Sequence, residues 1–128
     1  MNPFIESYFA AMEIRLIQSP AIITYQILRR EVTLLDGKLR VKAILSDGGI
    51  LEFFVYAEEI AGQIHLLKYS FHWQDCQSKL YQRWDNAPHY PTLPNAPHHV
   101  HYQDSTVVDV SQIPDLFFVI TQIEGALS

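Results

Sequence analysis

Apolar residues recur at three- and four-residue steps at the start of the chain and at every second position from about residue 22, so the pattern changes there from helix to strand. Ile5, Tyr8, Phe9, Met12 and Leu16 form one stripe, which predicts a helix from Pro3 to Gln18. Asn2 supplies an N-cap, Pro3 suits the first helical position, and Ser19-Pro20 supplies the stop.

Turn chemistry then assigns hairpins. Asp36-Gly37 is a type I′ signature, which pairs Leu34 with Leu39, Val32 with Val41 and Leu28 with Leu45 on an apolar face. Glu31 against Lys42 and Thr33 against Arg40 then share the polar face. Around Asp47-Gly48-Gly49, a three-residue loop with a left-handed glycine pairs Leu45 with Leu51, Ala43 with Phe53 and Val41 with Val55. The connection from Glu58 to Gly62 does not choose a parity. An even loop around Asp75-Cys76-Gln77-Ser78 pairs Trp73 with Leu80, Phe71 with Gln82 and Tyr69 with Trp84. The opposite face then carries Lys68, Ser70, His72, Tyr81, Arg83 and Asp85. A one-residue slip would scatter these aromatics over both faces, so the pattern itself supports the pairing.

Past Asp85, Pro88, Pro91, Pro94 and Pro97 exclude both helix and central strand. A last helix, capped by Asp109 or Ser111, runs to about Gly125, with Ile113, Leu116, Phe117, Ile120 and Leu127 along one side. The chain therefore reads as one α+β domain over residues 1–128. An N-terminal helix (1–19), an antiparallel β-meander of about five strands (20–85), a Pro/His-rich loop (86–108) and a C-terminal helix (109–128) follow in order, the helices covering the sheet.

Composition narrows the function. With 128 residues and 48% apolar content, disorder is excluded for all but the ends and one loop. The net charge of −5 counts against a general nucleic-acid coat, though not against a local basic patch such as Arg29-Arg30 with Arg40 and Lys42. The single Cys76 allows no internal disulfide. Neither a signal peptide nor a membrane span is evident, and a cytoplasmic location is expected.

Chemistry concentrates in the loop, which holds His89, His98, His99 and His101 beside the strand ending in Arg83 and Asp85. Three readings stay open. Acid–base work on a phosphodiester needs a near-neutral base, a proton donor and a cation for the developing oxyanion. His72, a loop histidine, Tyr81, Arg83 and Lys68 supply those types, with Asp85 orienting an imidazole. A metal site is the second: His99 and His101 share a face if extended, with His89, His98 or Asp85 as third ligand, yet the spacing fits no zinc template and no metal or other cofactor is assigned. A rigid loop or docking surface, with Trp73 and Trp84 in the core, is the third.

The segment LKYSFHWQDCQSKLYQRWDNAPHYPTLPNAPHHVHY resembles the TumE family of bacterial and archaeal toxins of toxin–antitoxin systems. The likeness lies in Tyr69, Phe71, His72 and Gln74, then Arg83-Trp84-Asp85-Asn86-Ala87-Pro88-His89, then Pro97-His98-His99-Val100-His101. The upstream LSDGGILEFFVYAE is similar too, so the resemblance covers residues 20 to 102. Tyr90 departs from the family's usual second histidine, and Val100 from a basic residue.

The resemblance implies a toxin neutralised by a cognate antitoxin, typically a helix-turn-helix protein. Joined to the residue reading, it gives a toxin acting on RNA by metal-independent acid–base chemistry. His72, Tyr81, Arg83, Asp85 and His99 are then catalytic, while Lys68, His89, His98 and His101 bind substrate. A non-catalytic interaction module whose loop is a docking surface is the alternative, a metal-dependent hydrolase a third. Oligomeric state stays open, a homodimer included.

Overall fold

The computed structural model describes residues 1–87, 98–104, 106–109 and 113–128. Helix α1 (Pro3–Gln18) precedes strands β1 (Ile22–Val32), β2 (Asp36–Leu45), β3 (Ile50–Ile60), β4 (Gln63–Gln74), β5 (Leu80–Asp85), β6 (His99–Tyr102) and β7 (Val107–Asp109), and helix α2 (Leu116–Leu127) ends the chain. Each strand pairs antiparallel with the next, giving one seven-stranded sheet in chain order. The α+β class and the meander are as the sequence indicates. The sheet is longer than the expected five strands because β6 and β7 lie within the segment read as loop. His99-Val100-His101-Tyr102 follows the last proline, so its backbone donors are free to pair with β5. The four prolines of that segment and His89 lie outside the described residues.

Both helices pack on one face of the sheet. Asn2 caps α1 as expected, its side-chain oxygen accepting from Phe4 N at 2.9 Å and Ile5 N at 3.0 Å. Ile5, Phe9, Met12 and Leu16 then meet Leu39, Val41, Phe53, Val55, Phe71 and Trp84, all in one buried core with Leu116, Val119, Ile120 and Ile123 of α2. Each fully buried large side chain here contributes roughly 1.5–3 kcal/mol.

Hairpin registers differ from the sequence reading, mostly by even steps. In the first, Val32 pairs with Gly37 and Arg30 with Leu39, so the connection is Thr33-Leu34-Leu35 and Asp36-Gly37 belongs to β2. Thr33 Oγ1 donates to Asp36 Oδ1 at 2.6 Å, Tyr56 Oη donates to Asp36 Oδ2 at 2.8 Å, and Leu34 and Leu35 are left exposed. Gly37 serves close approach instead of a turn: a Cβ there would lie 2.6 Å from Ile5 Cγ2 and 2.9 Å from Phe9 Cε2. The second hairpin keeps a three-residue loop with Gly48 left-handed (φ 86°), closed by Leu45 N donating to Gly49 O. Its pairs move by two, to Ala43–Leu51 and Val41–Phe53. The undecided third connection is a two-residue turn at Ala61-Gly62, both with positive φ. The fourth pairs Phe71 with Trp84 and Trp73 with Gln82. An even slip keeps side chains on their faces, so the faces of β2 to β4 survive the corrections. In β1 a bulge between Ile27 and Arg29 overturns one expectation: Leu28 is left unpaired and exposed, and Ile22 stands opposite Leu45 instead.

The last helix begins later than expected. Asp115, not Asp109, is its N-cap, accepting from Phe118 N at 2.9 Å; Asp109 lies in β7, and Ser111 is outside the described residues. Pro114 favours extended backbone at Ile113, which leaves that side chain exposed. Arg15 of α1 ties the helices together by a two-pronged contact to Glu124 at 2.6 and 2.8 Å, which Ser19 Oγ joins at 2.7 Å.

Candidate functional site

No helix covers the other face of the sheet among the described residues, and the meander aligns its polar residues into rows. Directly paired residues share a face, so Lys42, Glu52, His72, Arg83 and His101 form one row across β2 to β6. A second row, two residues along, holds Arg40, Phe54, Ser70, Asp85 and His99. Together they floor a groove: one part is lined by Arg40, Lys42, Glu52, Ser70, His72, Gln74 and Arg83, and an adjoining part by Arg29, Lys68 and Asp85 as well. Five cationic side chains thus meet on this face of an acidic chain. Arg40 pairs with Glu52 at 3.3 Å and lies over the Phe54 ring, and Arg29 pairs with Glu31.

Arg83 is the centre of the constellation. Its Nη1 lies 3.3 Å from His72 Nδ1, and its Nε donates to Asp85 Oδ2 at 3.1 Å. On the other side of His72, Nε2 is 3.1 Å from Gln74 Oε1. A carbonyl oxygen only accepts, so Nε2 carries the proton and Nδ1 is the acceptor facing Arg83. Burial pushes the His72 imidazole below its usual range; the Arg83 charge adds to this, against the Gln74 hydrogen bond. His72 is accordingly neutral at pH 7, with a lone pair held against a cation.

Asp85 is buried and joins β5 to β6. Its Oδ1 accepts from Ala87 N at 3.1 Å and lies 2.9 Å from His99 Nε2, while its Oδ2 lies 3.6 Å from His101 Nε2. Among the described residues, Asp85, His99 and His101 also form a group whose donor atoms are close enough to hold a metal ion. Asn86 fixes the exit of β5, accepting from Tyr69 N and donating to Leu67 O.

The structure brings His72, Arg83, Asp85, His99 and His101 together, with Lys68 on the groove wall. Three placements depart from the sequence reading. Tyr81 does not face this group: β5 bulges between Leu80 and Gln82, and the extra residue stacks on Trp73 with ring centroids 4.8 Å apart. His99 is only 1% exposed, which removes it from direct contact with a large substrate and leaves His101 as the more accessible imidazole of β6. His98 falls on the helix side, where its Nδ1 shares a hydrogen bond of 2.8 Å with the Tyr69 hydroxyl. His89 lies outside the described residues. Ser70 lines the groove on the face that the hairpin pairing predicts, and Arg40 and Lys42, which the sequence offers only as a separate basic patch, line it with Gln74; continuity of a meander's faces is the signal that joins them.

The fold and this face define a small α+β protein with a cationic, histidine-bearing groove on an open sheet. The family model described as toxin TumE matches residues 12–127, and the chain belongs to that family. It is thereby the toxin of a toxin–antitoxin system, with an antitoxin as its partner. No curated protein and no solved structure matches the chain significantly. Among the described residues, no helix is long and apolar enough to cross a membrane.

Proposed function

We propose that this toxin acts on RNA in the cytoplasm, cleaving phosphodiester bonds by acid–base chemistry without a metal. The observation that carries the reading is the row His72–Arg83–His101, in which a guanidinium stands between two imidazoles on an open cationic face. Two strand spacings separate the imidazole-bearing Cα atoms by about 10 Å, room for one phosphate over Arg83. As a phosphate engages Arg83, the guanidinium leaves His72 Nδ1, which takes the proton of the ribose 2′-hydroxyl. The 2′-oxygen bonds to phosphorus, the P–O5′ bond breaks, and His101 returns a proton to the 5′-oxygen. The products are a 2′,3′-cyclic phosphate and a 5′-hydroxyl, with Arg83 stabilising the charge that develops between. Asp85 holds Arg83, and Arg40, Lys42 and Lys68 hold neighbouring phosphates. The antitoxin, a helix-turn-helix protein in this reading, silences the toxin by covering this face.

Incubation of RNA with purified wild-type, His72→Ala and Arg83→Ala proteins tests this, with product ends identified chemically. Loss of about 100-fold or more in each variant, with folding retained by circular dichroism, supports it. Equal or absent cleavage in all three removes the nuclease reading.

A further inference from the structure

Asp85, His99 and His101 have a property that the proposed cleavage leaves unused. Their donor atoms all lie within 4.8 Å of one another, with Asp85 Oδ1 2.9 Å from His99 Nε2 and Oδ2 3.6 Å from His101 Nε2. A tetrahedral ion bonded to nitrogen and oxygen at about 2.1 Å needs donors roughly 3.4 Å apart, so small side-chain rotations suffice to close the set. The sheet supplies this spacing. His99 and His101 alternate along β6 and so project from one face, and Asp85 is the cross-strand partner of His99. The carboxylate is also braced from outside, by Ala87 N–H on Oδ1 and Arg83 Nε–H on Oδ2. Each oxygen keeps a second lone pair toward the imidazoles, and bracing of this kind orients ligating carboxylates.

We propose that Asp85, His99 and His101 bind one divalent first-row metal ion, zinc being the best match to two imidazoles and a carboxylate, with water completing the shell. Magnesium and calcium, which take oxygen donors, fit poorly. The Arg83 guanidinium beside Asp85 offsets part of the ligand charge and moderates the affinity. One consequence rests on the cleavage reading: an ion on His101 removes that imidazole from proton transfer, so zinc is an inhibitor of the reaction and not its cofactor.

The test uses the full chain without an affinity tag, stripped with EDTA and dialysed. Zinc chloride is titrated calorimetrically, and cobalt(II) absorption reports nitrogen coordination. One zinc per chain is expected, weakened about 10-fold or more in His101→Ala and Asp85→Asn. His65→Ala, altered near Tyr8 and Asp115 in a different depression, is expected to bind as wild type. His101 is only partly buried, so His101→Ala decides the matter if Asp85→Asn fails to fold. Less than stoichiometric uptake, or binding that His101→Ala leaves unchanged, overturns the site. RNA cleavage is followed in the same samples. Inhibition by zinc that EDTA reverses supports the double use of His101, and full cleavage at saturating zinc overturns it. Absence of cleavage in every sample defeats the nuclease reading alone, because the titration still decides the metal site.

Discussion

Gly37→Ala measures how tightly α1 is seated on the sheet. Gly37 has no positive φ, so an alanine there meets no backbone penalty of the kind a left-handed turn imposes. Its Cβ would instead lie 2.6 Å from Ile5 Cγ2, 2.9 Å from Phe9 Cε2 and 3.1 Å from the Glu31 carbonyl oxygen. Ile5 and Phe9 are completely buried, and side chains in a close-packed interior yield to an added methyl only by strained rotamers or a shift of the helix. Overpacking of this kind costs about 1–3 kcal/mol, and two contacts below 3.0 Å place it at the upper end. That corresponds to a fall in Tm of roughly 10 °C for a chain of this size. Ile5→Ala alone, which removes a buried branched side chain, costs about 3 kcal/mol. It also removes the atom that Gly37→Ala strikes first. The double variant should therefore lose about 1–2 kcal/mol less than the two single losses combined. Urea unfolding at pH 7, read by far-ultraviolet circular dichroism and by Trp73 and Trp84 fluorescence, provides all three values. A Gly37→Ala loss below about 1 kcal/mol, or strict additivity with Ile5→Ala, refutes the close-approach argument.

Gly125 is the converse case: it lies in α2 with nothing within 4 Å of an added Cβ, so Gly125→Ala should stabilise the fold by about 0.5–1 kcal/mol in the same urea assay. The helix-to-helix contact carries a pH dependence. Hydrogen bonds from Arg15, and after them from Ser19, bring the Glu124 carboxyl from its ordinary 4.5 down to about 2. Because the folded value is the lower one, the contact stabilises the protein fully above about pH 4.5, and that contribution disappears as pH falls through 2. Both side chains keep some solvent contact, so screening reduces the contribution to about 1 kcal/mol. Glu124→Gln should cost that much at pH 7 and almost nothing at pH 2; a deficit of equal size at both pH values contradicts the assignment.

The faces of this sheet were readable in the sequence, and the registers were not, for one physical reason. Side chains alternate with a period of two, so any even slip of a hairpin preserves which residues point inward. Alternation alone puts Leu39, Val41, Phe53, Phe71 and Trp84 in the core, even though the predicted pairings lie two, four or, for Val41 with β1, five residues from the real ones. The errors came where a residue type served a different purpose than its commonest one. Asp36-Gly37 has turn composition, yet the aspartate is a hydrogen-bond hub and the glycine makes room for a helix. Strict alternation puts Tyr81 on the polar face, and a single bulge reverses it.

Registers matter more for a site than for a core, since rows of side chains across strands are what a ligand meets. With the hairpin closed two residues tighter, Gln82 would stand opposite Phe71, and His72 would have lost Arg83 as its partner. The observed pairing puts His72, Arg83 and His101 in one line, and β6 can supply the third member because His99–Tyr102 contains no proline and keeps every backbone donor. The chemistry therefore belongs to the sheet. A proline-rich loop can carry histidines to the vicinity of Arg83, but only a paired strand fixes His99 against Asp85 and His101 beside Arg83 at once, because a single register decides both contacts.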